Sequence, residues 1–257
     1  MHDHPAARWA TDALWSALAE ALRERDVEVP AALDRREDYA EAWTEPALVL
    51  SQTCGYPYVT RLRGRVQLVM TPVYRAAGCD GAWYCSTLLV RADDSAHELA
   101  DLRGRPVAYN ATDSQSGYNS LRAAVAPLAR NGRFFSATVA TGSHGASTAA
   151  VASGAADLCA IDCVTWALMG RYEPERTAGL RVIGHTATVP GLPLITSLQV
   201  PLDAARAAVA SAMARPDLAD AREALLLERV EFLANSDYDA ILDMERQAIG
   251  QGYPTLA

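Results

Sequence analysis

Strands alternate with helices through the middle of this 257-residue chain, and this alternation limits the fold more than any other feature. Short apolar runs predict strands at 106–109, 138–140, 158–161 and 180–183. The runs between them predict helices at 116–128, 144–153 and 164–172. This order is typical of a mostly parallel sheet with helices on both faces, so we expect an α/β fold.

The segments on either side of this central region predict further strands and helices, enough for a second lobe. Apolar spacing there predicts strands at 47–50, 66–71 and 86–90, and helices at 7–25, 203–214, 217–234 and 237–250. No flexible linker separates the segments, so extended stretches near 84–89 and 186–195 are the candidates for crossing strands between two lobes. We therefore predict a discontinuous first lobe of 1–85 with 190–257, and a second lobe of 86–189.

Charge and composition argue against several classes of function. The formal net charge is −8 and the basic residues are not clustered, so we expect no nucleic-acid partner. No apolar run reaches 18 residues, so we expect no membrane-spanning segment. All 23 basic residues are arginine, which excludes a Schiff-base lysine and a P-loop lysine. With no dinucleotide-binding glycine pattern either, we expect no cofactor.

The cysteines and the N-terminal residues bear on metal binding and location. Five cysteines occur without a C-x-x-C pair, which argues against a structural zinc site. Cys54 and Cys79 are candidates for a disulfide if the compartment is oxidising. No charged segment followed by an apolar stretch is found at the start. This predicts a cytoplasmic protein as written, or a periplasmic one if the true start lies upstream.

The segment after the strand at 106–109 is the most informative for function. Small polar residues follow that strand and open a helix: Ser114, Gln115, Ser116 and Gly117. Free backbone N–H groups and the helix dipole favour an anion at such a turn, and the serine hydroxyls add donors. The alternative is that Ser114 or Ser116 only caps the helix.

Two further segments predict polar groups at the same sheet edge. Ser143 and His144 follow the strand at 138–140, and both could donate to an oxyanion, although a lone histidine is often structural or exposed. Asp162 ends the strand at 158–161, where a buried carboxylate needs a partner: either the protein backbone or a proton-bearing ligand atom. Neighbouring strand ends of an open α/β sheet are where ligands bind.

These residue types do not make a hydrolase. Ser143, His144 and Asp162 contain the groups of a catalytic triad, but adjacent Ser and His side chains on one turn point in different directions. A G-x-S-x-G elbow is also missing from the sequence. We therefore expect a protein that binds a ligand without catalysis.

Several runs resemble the PhnD-like phosphate/phosphite/phosphonate substrate-binding proteins of ABC transporters. The central ones are TDSQSGYNSLRAAVAPL and TGSHGASTAAVASGAADLCAIDCVTWALM. The runs LVLSQTCGYPYVTRL, CDGAWYCSTLLVRADD and ADLRGRPVAYN match the same family. The resemblance extends from about residue 9 to the C-terminus. It implies a type II periplasmic-binding-protein fold, with two α/β lobes and a hinge.

The resemblance also implies a ligand site. The anion would be held at the helix start by Ser114, Gln115, Ser116 and Gly117. His144 would donate to the same group, Asp162 would face it near the hinge, and Tyr84 and Tyr56 would close the pocket from the other lobe. The implied function is non-catalytic binding of a small oxyanion for an ABC permease. A cytoplasmic regulatory ligand-binding module and an enzyme of the same fold are the alternatives.

Overall fold

The computed structural model describes residues 2–36 and 39–257. Its strands are β1 (Ser51–Gln52), β2 (Val66–Tyr74), β3 (Cys79–Asp80), β4 (Trp83–Tyr84), β5 (Ser86–Arg91), β6 (Pro106–Tyr109), β7 (Ala137–Ala140), β8 (Leu158–Asp162), β9 (Leu180–His185), β10 (Val189–Pro190), β11 (Leu194–Ser197) and β12 (Leu227–Glu231).

The helices are α1 (Arg8–Arg23), α2 (Tyr39–Ala42), α3 (Gly55–Pro57), α4 (Ser120–Val125), α5 (His144–Ala152), α6 (Cys163–Tyr172), α7 (Pro174–Thr177), α8 (Leu202–Met213), α9 (Ala219–Ala224) and α10 (Asp239–Gly250). Wider π-helical turns at Tyr58–Leu62 and Gln115–Asn119 extend α3 and precede α4. Short 3₁₀ turns lie at Pro5–Ala7, Leu99–Leu102, Ala126–Leu128 and Pro216–Leu218.

Two main sheets form the two lobes of an α/β fold. The first has four strands in the order β1-β11-β2-β12, and the second has five in the order β7-β6-β8-β5-β9. A small sheet, β10-β4-β3, is built from segments that lie between the main sheets along the chain. Predicted lobe boundaries at 85/86 and 189/190 remain a prediction.

The first main sheet is antiparallel and the second is mixed, which corrects the prediction of mostly parallel sheets. In the first sheet, all the described strand pairs are antiparallel. In the second sheet, β6 pairs in parallel with β7 and with β8. β5 pairs antiparallel with β8 and β9. The chain enters the second sheet on β5 and leaves it on β9, so these neighbouring strands run in opposite directions.

One predicted helix is wrong. The prediction at 217–234 holds only for α9, which ends before Leu226, a residue with φ of +56°. β12 then pairs with β2 as an edge strand. Strand pairing with β2 outweighs the helical propensity of this Leu- and Glu-rich run, because propensity is a weak preference that tertiary contacts override.

Small residues allow α1 and α8 to pack closely in the first lobe. Ala21 and Leu22 of α1 share a buried cluster with Ala205 and Ala208 of α8, and Val69 of β2 completes it. Alanine gives little bulk at such a contact, so the helices lie near each other and near the sheet. This packing fixes the first lobe, whose strands form one side of the site described below.

The C-terminal segment joins the two lobes. α10 packs against α4, and beyond it Tyr253 and Leu256 lie in the core of the five-stranded sheet. Arg122 of α4 is buried and donates to the Pro254 carbonyl at 2.8 Å. It also forms an ion pair with Glu245 of α10 at 3.2 Å. Arg122 is therefore the charged link between α4 and the end of the chain.

Replacing Arg122 with methionine should lower the free energy of unfolding by about 3 kcal/mol, because Glu245 would lose the cation of a largely buried pair. The matched control is Arg246→Met, since the Arg246–Asp243 pair is more than half exposed. It should change stability by no more than about 0.5 kcal/mol. Urea unfolding measures both variants, and equal losses in the two would contradict the role of Arg122.

Candidate functional site

A cavity of about 1140 Å³ lies between the two main sheets. Its polar wall combines residues of the second lobe with residues of the first lobe and the N-terminal segment: Asn110, Ser114, Ser116, Ser143, His144, Asp162, Thr165, His2, Gln52, Tyr74 and Tyr84. The cavity also extends along α1 and the first sheet, where its lining includes the apolar Leu14, Leu18 and Val230 and the charged Arg8, Arg35 and Arg36. The predicted sheet-edge residues therefore meet in one cleft.

Ser114 and Ser116 have different roles at the first helix start. Ser114 is the cap of the helical run, since its Oγ accepts the Gly117 N–H at 3.1 Å. Ser116 is buried, and its Oγ lies 3.1 Å from His144 Nε2. The capping alternative thus applies to Ser114, whereas Ser116 places its hydroxyl on the polar wall.

Asp162 is the buried carboxylate of the cleft. Its Oδ1 accepts the Thr165 N–H at 2.8 Å and caps α6, and its Oδ2 lies 3.4 Å from His144 Nε2. Burial alone would raise the pKa of Asp162, but the charges of His2 and His144 and the Thr165 hydrogen bond together hold it below its usual value. The carboxylate is therefore ionised at neutral pH.

His144 joins the two halves of the polar wall. Its Nε2 faces both Ser116 Oγ and Asp162, while its buried Nδ1 has no hydrogen-bond partner among the described residues. Burial lowers the pKa of His144, although Asp162 acts in the opposite direction. A neutral imidazole with Ser116 on one side and Asp162 on the other can donate to a ligand oxygen through a small rearrangement.

His2 is a site residue that the sequence did not predict. Its ring packs edge-on against Tyr74 at 5.0 Å, and its Nε2 lies 3.9 Å from Asp162 Oδ1 without a hydrogen bond in the described structure. Thr165 Oγ1 lies 3.4 Å from the other ring nitrogen. Burial lowers the pKa of His2 to about 4. No spacing pattern connects His2 to Asp162, so only the fold reveals this contact.

Two further buried polar atoms on the wall lack protein partners. The Tyr84 hydroxyl and Asn110 Oδ1 form no hydrogen bond within the described chain. Burial raises the pKa of Tyr84 well above its usual value, so its hydroxyl keeps the proton and is a donor. Tyr84 was predicted as a wall residue of the site, and the structure places it there; Asn110 was not predicted.

Three predicted ligand residues lie elsewhere. The Gln115 side chain points into the core, where it donates to Ser120 Oγ at 2.9 Å, and its N–H donates to Cys54 Sγ. The Tyr56 hydroxyl donates to Glu245, away from the polar wall. Gly117 is needed for a different reason, because a Cβ there would lie 1.9 Å from Asn110 Oδ1. The structure thus gives each of these residues a contact within the protein, and their contact with a ligand remains a prediction.

Ser143 lies at the mouth of the cleft and has a structural role. Its Oγ accepts the Ala146 N–H at 3.1 Å and caps α5, and the residue is exposed. This cap fixes the start of α5 and hence the position of His144, the first residue of that helix. Ser143 therefore acts on the site through the backbone of α5 in the arrangement seen here.

The five cysteines are free thiols in the structure. Cys54 Sγ accepts the Gln115 N–H, whereas Cys79 Sγ lies 3.5 Å from Cys163 Sγ, so the structure does not pair the candidate cysteines Cys54 and Cys79. Among the residues that the structure describes, no group of three or more His, Cys, Asp or Glu side chains is placed to hold a metal ion.

Comparison with family models now identifies the chain. The model for the phosphonate-binding family, described as periplasmic substrate-binding proteins of phosphonate ABC transporters, matches residues 8–239. The chain belongs to this family. Its members are substrate-binding components and do not catalyse a reaction, which confirms the resemblance and the non-catalytic prediction. Among curated proteins, none matches the sequence.

Solved structures show the same fold at low sequence identity. A binding-protein component of an ABC phosphonate transporter from Pseudomonas aeruginosa is 17% identical, with a TM-score of 0.74 over 93% of this chain and 82% of the other. A Prochlorococcus marinus protein in complex with methylphosphonate is 15% identical, with a TM-score of 0.74 over 93% and 91%. A Xanthomonas citri protein bound to ATP is 16% identical, with a TM-score of 0.71 over 96% and 94%.

The chain therefore has the two-lobed type II periplasmic-binding-protein fold, as the sequence resemblance implied. In residues 2–36 and 39–257, no helix has both the length and the apolar character to cross a membrane.

Stability should fall by about 2 kcal/mol because of His2 alone when the pH falls from 7.5 to 5, since its pKa is about 4 when folded and near 6.5 when unfolded. The unfolded chain binds the proton first, so this stabilisation is present above pH 6.5 and is lost on acidification. The lowered pKa of His144 acts in the same direction. The stability that Asp162 contributes begins to be lost only when the pH falls below about 3.8, the pKa of this carboxyl in the unfolded chain.

Denaturant unfolding at the two pH values tests this expectation. His2→Phe keeps a ring against Tyr74 and should flatten the pH dependence between 7.5 and 5. His185→Phe is the control, because His185 is exposed on β9, away from the cleft. An unchanged slope in His2→Phe would contradict a buried neutral His2.

Proposed function

We propose that the polar wall of the cleft binds a small phosphorus oxyanion of the phosphonate, phosphite or phosphate class. The observation that carries the proposal is the arrangement around His144, whose Nε2 lies 3.1 Å from Ser116 Oγ and 3.4 Å from Asp162 Oδ2. A hydroxyl donor, an imidazole and an ionised carboxylate thus face one space. This set suits a tetrahedral anion that also carries a proton.

The anion would be held by neutral donors. Two N–H groups at the helix start, those of Gln115 and Gly117, are already used by Cys54 and Ser114, so the ligand would rely on side chains. Ser116, His144 and the unpartnered Tyr84 hydroxyl supply them. In a site shielded from water, neutral donors bind an anion well because they need not be desolvated as charges.

Asp162 would select the protonation state of the ligand. A buried ionised carboxylate repels an anion unless the ligand places a hydrogen between the two charges. An acidic P–OH group can donate that hydrogen, and so can an ammonium group on an aminoalkyl substituent. We infer that a monoanionic or amine-bearing ligand is preferred over a fully deprotonated one.

Binding would couple to transport. The family supplies substrate to ABC transporters, so we propose that the lobes close on the ligand and that the complex docks on a permease. The family's periplasmic description favours a periplasmic location over the cytoplasmic alternative. Neither a regulatory module nor an enzyme gains support from a specific feature of the cleft.

Ser116→Ala and His144→Ala should each weaken binding about tenfold or more, because each removes a hydrogen bond to a charged group worth roughly 1.5–3 kcal/mol. The ligand is first chosen by a thermal-shift screen of methylphosphonate, phosphite, phosphate and 2-aminoethylphosphonate. Calorimetric titration then measures the affinity of each variant. Ser153→Ala is the control, since Ser153 is exposed at the end of α5. Wild-type affinity in both site variants would refute the assignment.

Asp162→Asn should change the pH dependence of binding rather than the fold, because asparagine also caps a helix and α6 would keep its start. For the wild-type protein we expect affinity to fall as the pH rises through the second ionisation of the ligand. In the variant, the fall in affinity over the same pH range should be about ten times smaller, because the carboxylate that repels the dianion is gone. Titrations at several pH values measure this, and identical profiles would exclude selection by Asp162.

A further inference from the structure

Three cysteines meet directly behind Asp162. Cys79 lies on β3, Cys85 follows β4, and Cys163 is the first residue of α6. The Cys85 N–H donates to the Gly78 carbonyl at 3.1 Å, and the Cys163 N–H donates to the Cys85 carbonyl at 3.1 Å. These backbone bonds hold the three thiols side by side, and Cys79 Sγ lies 3.5 Å from Cys163 Sγ.

Gly78 provides the space that the sulfur atoms occupy. Its φ is +98°, and a Cβ there would lie 2.6 Å from Cys85 Sγ and 3.1 Å from Cys163 Cβ. Cys85 and Cys163 are almost fully buried, whereas Cys79 is half-buried and open to a small solute. The cluster thus has one accessible thiol in contact with one protected thiol.

We propose that Cys79 and Cys163 are a modification site that forms a reversible disulfide when the protein meets a peroxide. The Cys79 thiolate attacks a peroxide oxygen and forms a sulfenic acid, and the O–O bond breaks with release of water. The Cys163 sulfur then attacks the Cys79 sulfur, the S–O bond breaks and a second water leaves. In total, two thiols lose two electrons and two protons, and one hydrogen peroxide becomes two waters.

The pKa values of the two thiols agree with these roles, in which Cys79 attacks the peroxide and Cys163 attacks Cys79. The hydrogen bond between the two thiols lowers the pKa of Cys79 below its usual value. The same contact, with burial, raises the pKa of Cys163 to about 12. The accessible thiol is therefore the more acidic one, and a thiolate is the form that attacks peroxide.

The disulfide would connect the two sides of the cleft. Cys79 pairs with Tyr84 across the β3–β4 hairpin, and Cys163 directly follows Asp162. Oxidation would therefore fix the hairpin that carries Tyr84 to the start of α6. Because both Tyr84 and Asp162 line the cleft, we expect oxidation to change ligand affinity; this part alone rests on the proposed function.

Thiol counting on the full chain tests the disulfide without any ligand. One equivalent of hydrogen peroxide should lower the free thiols from five to three, and dithiothreitol should restore five. Peptide mapping should find Cys79 joined to Cys163. The oxidised protein should also unfold several degrees higher, because the bond closes a long loop.

Cys79→Ser and Cys163→Ser should abolish the peroxide-dependent bond. Cys54→Ser and Cys159→Ser are matched controls, since both residues are buried outside the cluster and should leave the bond unchanged. Five thiols after peroxide treatment, or a bond that maps to another pair, would overturn the proposal. Calorimetry on the oxidised and reduced proteins measures the ligand affinity separately. An unchanged affinity would contradict the expected effect on binding, whereas the peptide mapping alone decides whether the disulfide forms.

Discussion

Asp162 is only 3% exposed, and the arrangement of the cleft follows from the need to offset the burial of its carboxylate. An ionised group away from water needs hydrogen bonds or opposite charge nearby. The Thr165 N–H supplies the first by making Asp162 the cap of α6. Two imidazoles, from His144 and His2, lie near its two oxygens. One side chain therefore sets the start of a helix and gathers residues from three distant parts of the chain.

This arrangement explains how an acidic protein can bind an anion. The two histidines have lowered pKa values, so at neutral pH they act as neutral donors or acceptors rather than as cations. The negative charge of Asp162 is then only partly balanced, and a ligand with a spare proton completes the balance. The selectivity that we propose follows from this shortage of positive charge rather than from an excess of it.

Local sequence patterns predicted the central fold and half of the polar wall. The strand at 106–109 and the helix at 144–153 match β6 and α5 almost residue for residue, because periodicity and turn residues act over short distances. Ser116, His144 and Asp162 were found for the same reason, since strand ends at one sheet edge must meet. The mixed strand directions depend on long connections, which no local pattern encodes.

The positions of Gln115, Tyr56 and His2 depend on side-chain direction or on tertiary contact, which local sequence patterns do not encode. Gln115 lies between two cleft residues, but the wide π-helical turn there directs its amide into the core. Tyr56 was placed at the cleft by resemblance, whereas Glu245 of α10 accepts its hydroxyl. His2 belongs to no periodic segment, and it reaches Asp162 only because α1 packs where it does.

The size of the cavity places a further limit on the ligand. At about 1140 Å³ it far exceeds a tetrahedral anion, and its lining also includes the charged residues Arg8, Arg35 and Arg36. Each of these arginines is already ion-paired with a carboxylate, so an anion beside them would have to compete with Asp3, Asp34 or Glu45. We therefore expect the anionic group at the wall of Ser116, His144 and Asp162, with any larger substituent extending from there. The closure that we propose would exclude water from that wall, and the same hydrogen bonds are stronger in a drier site.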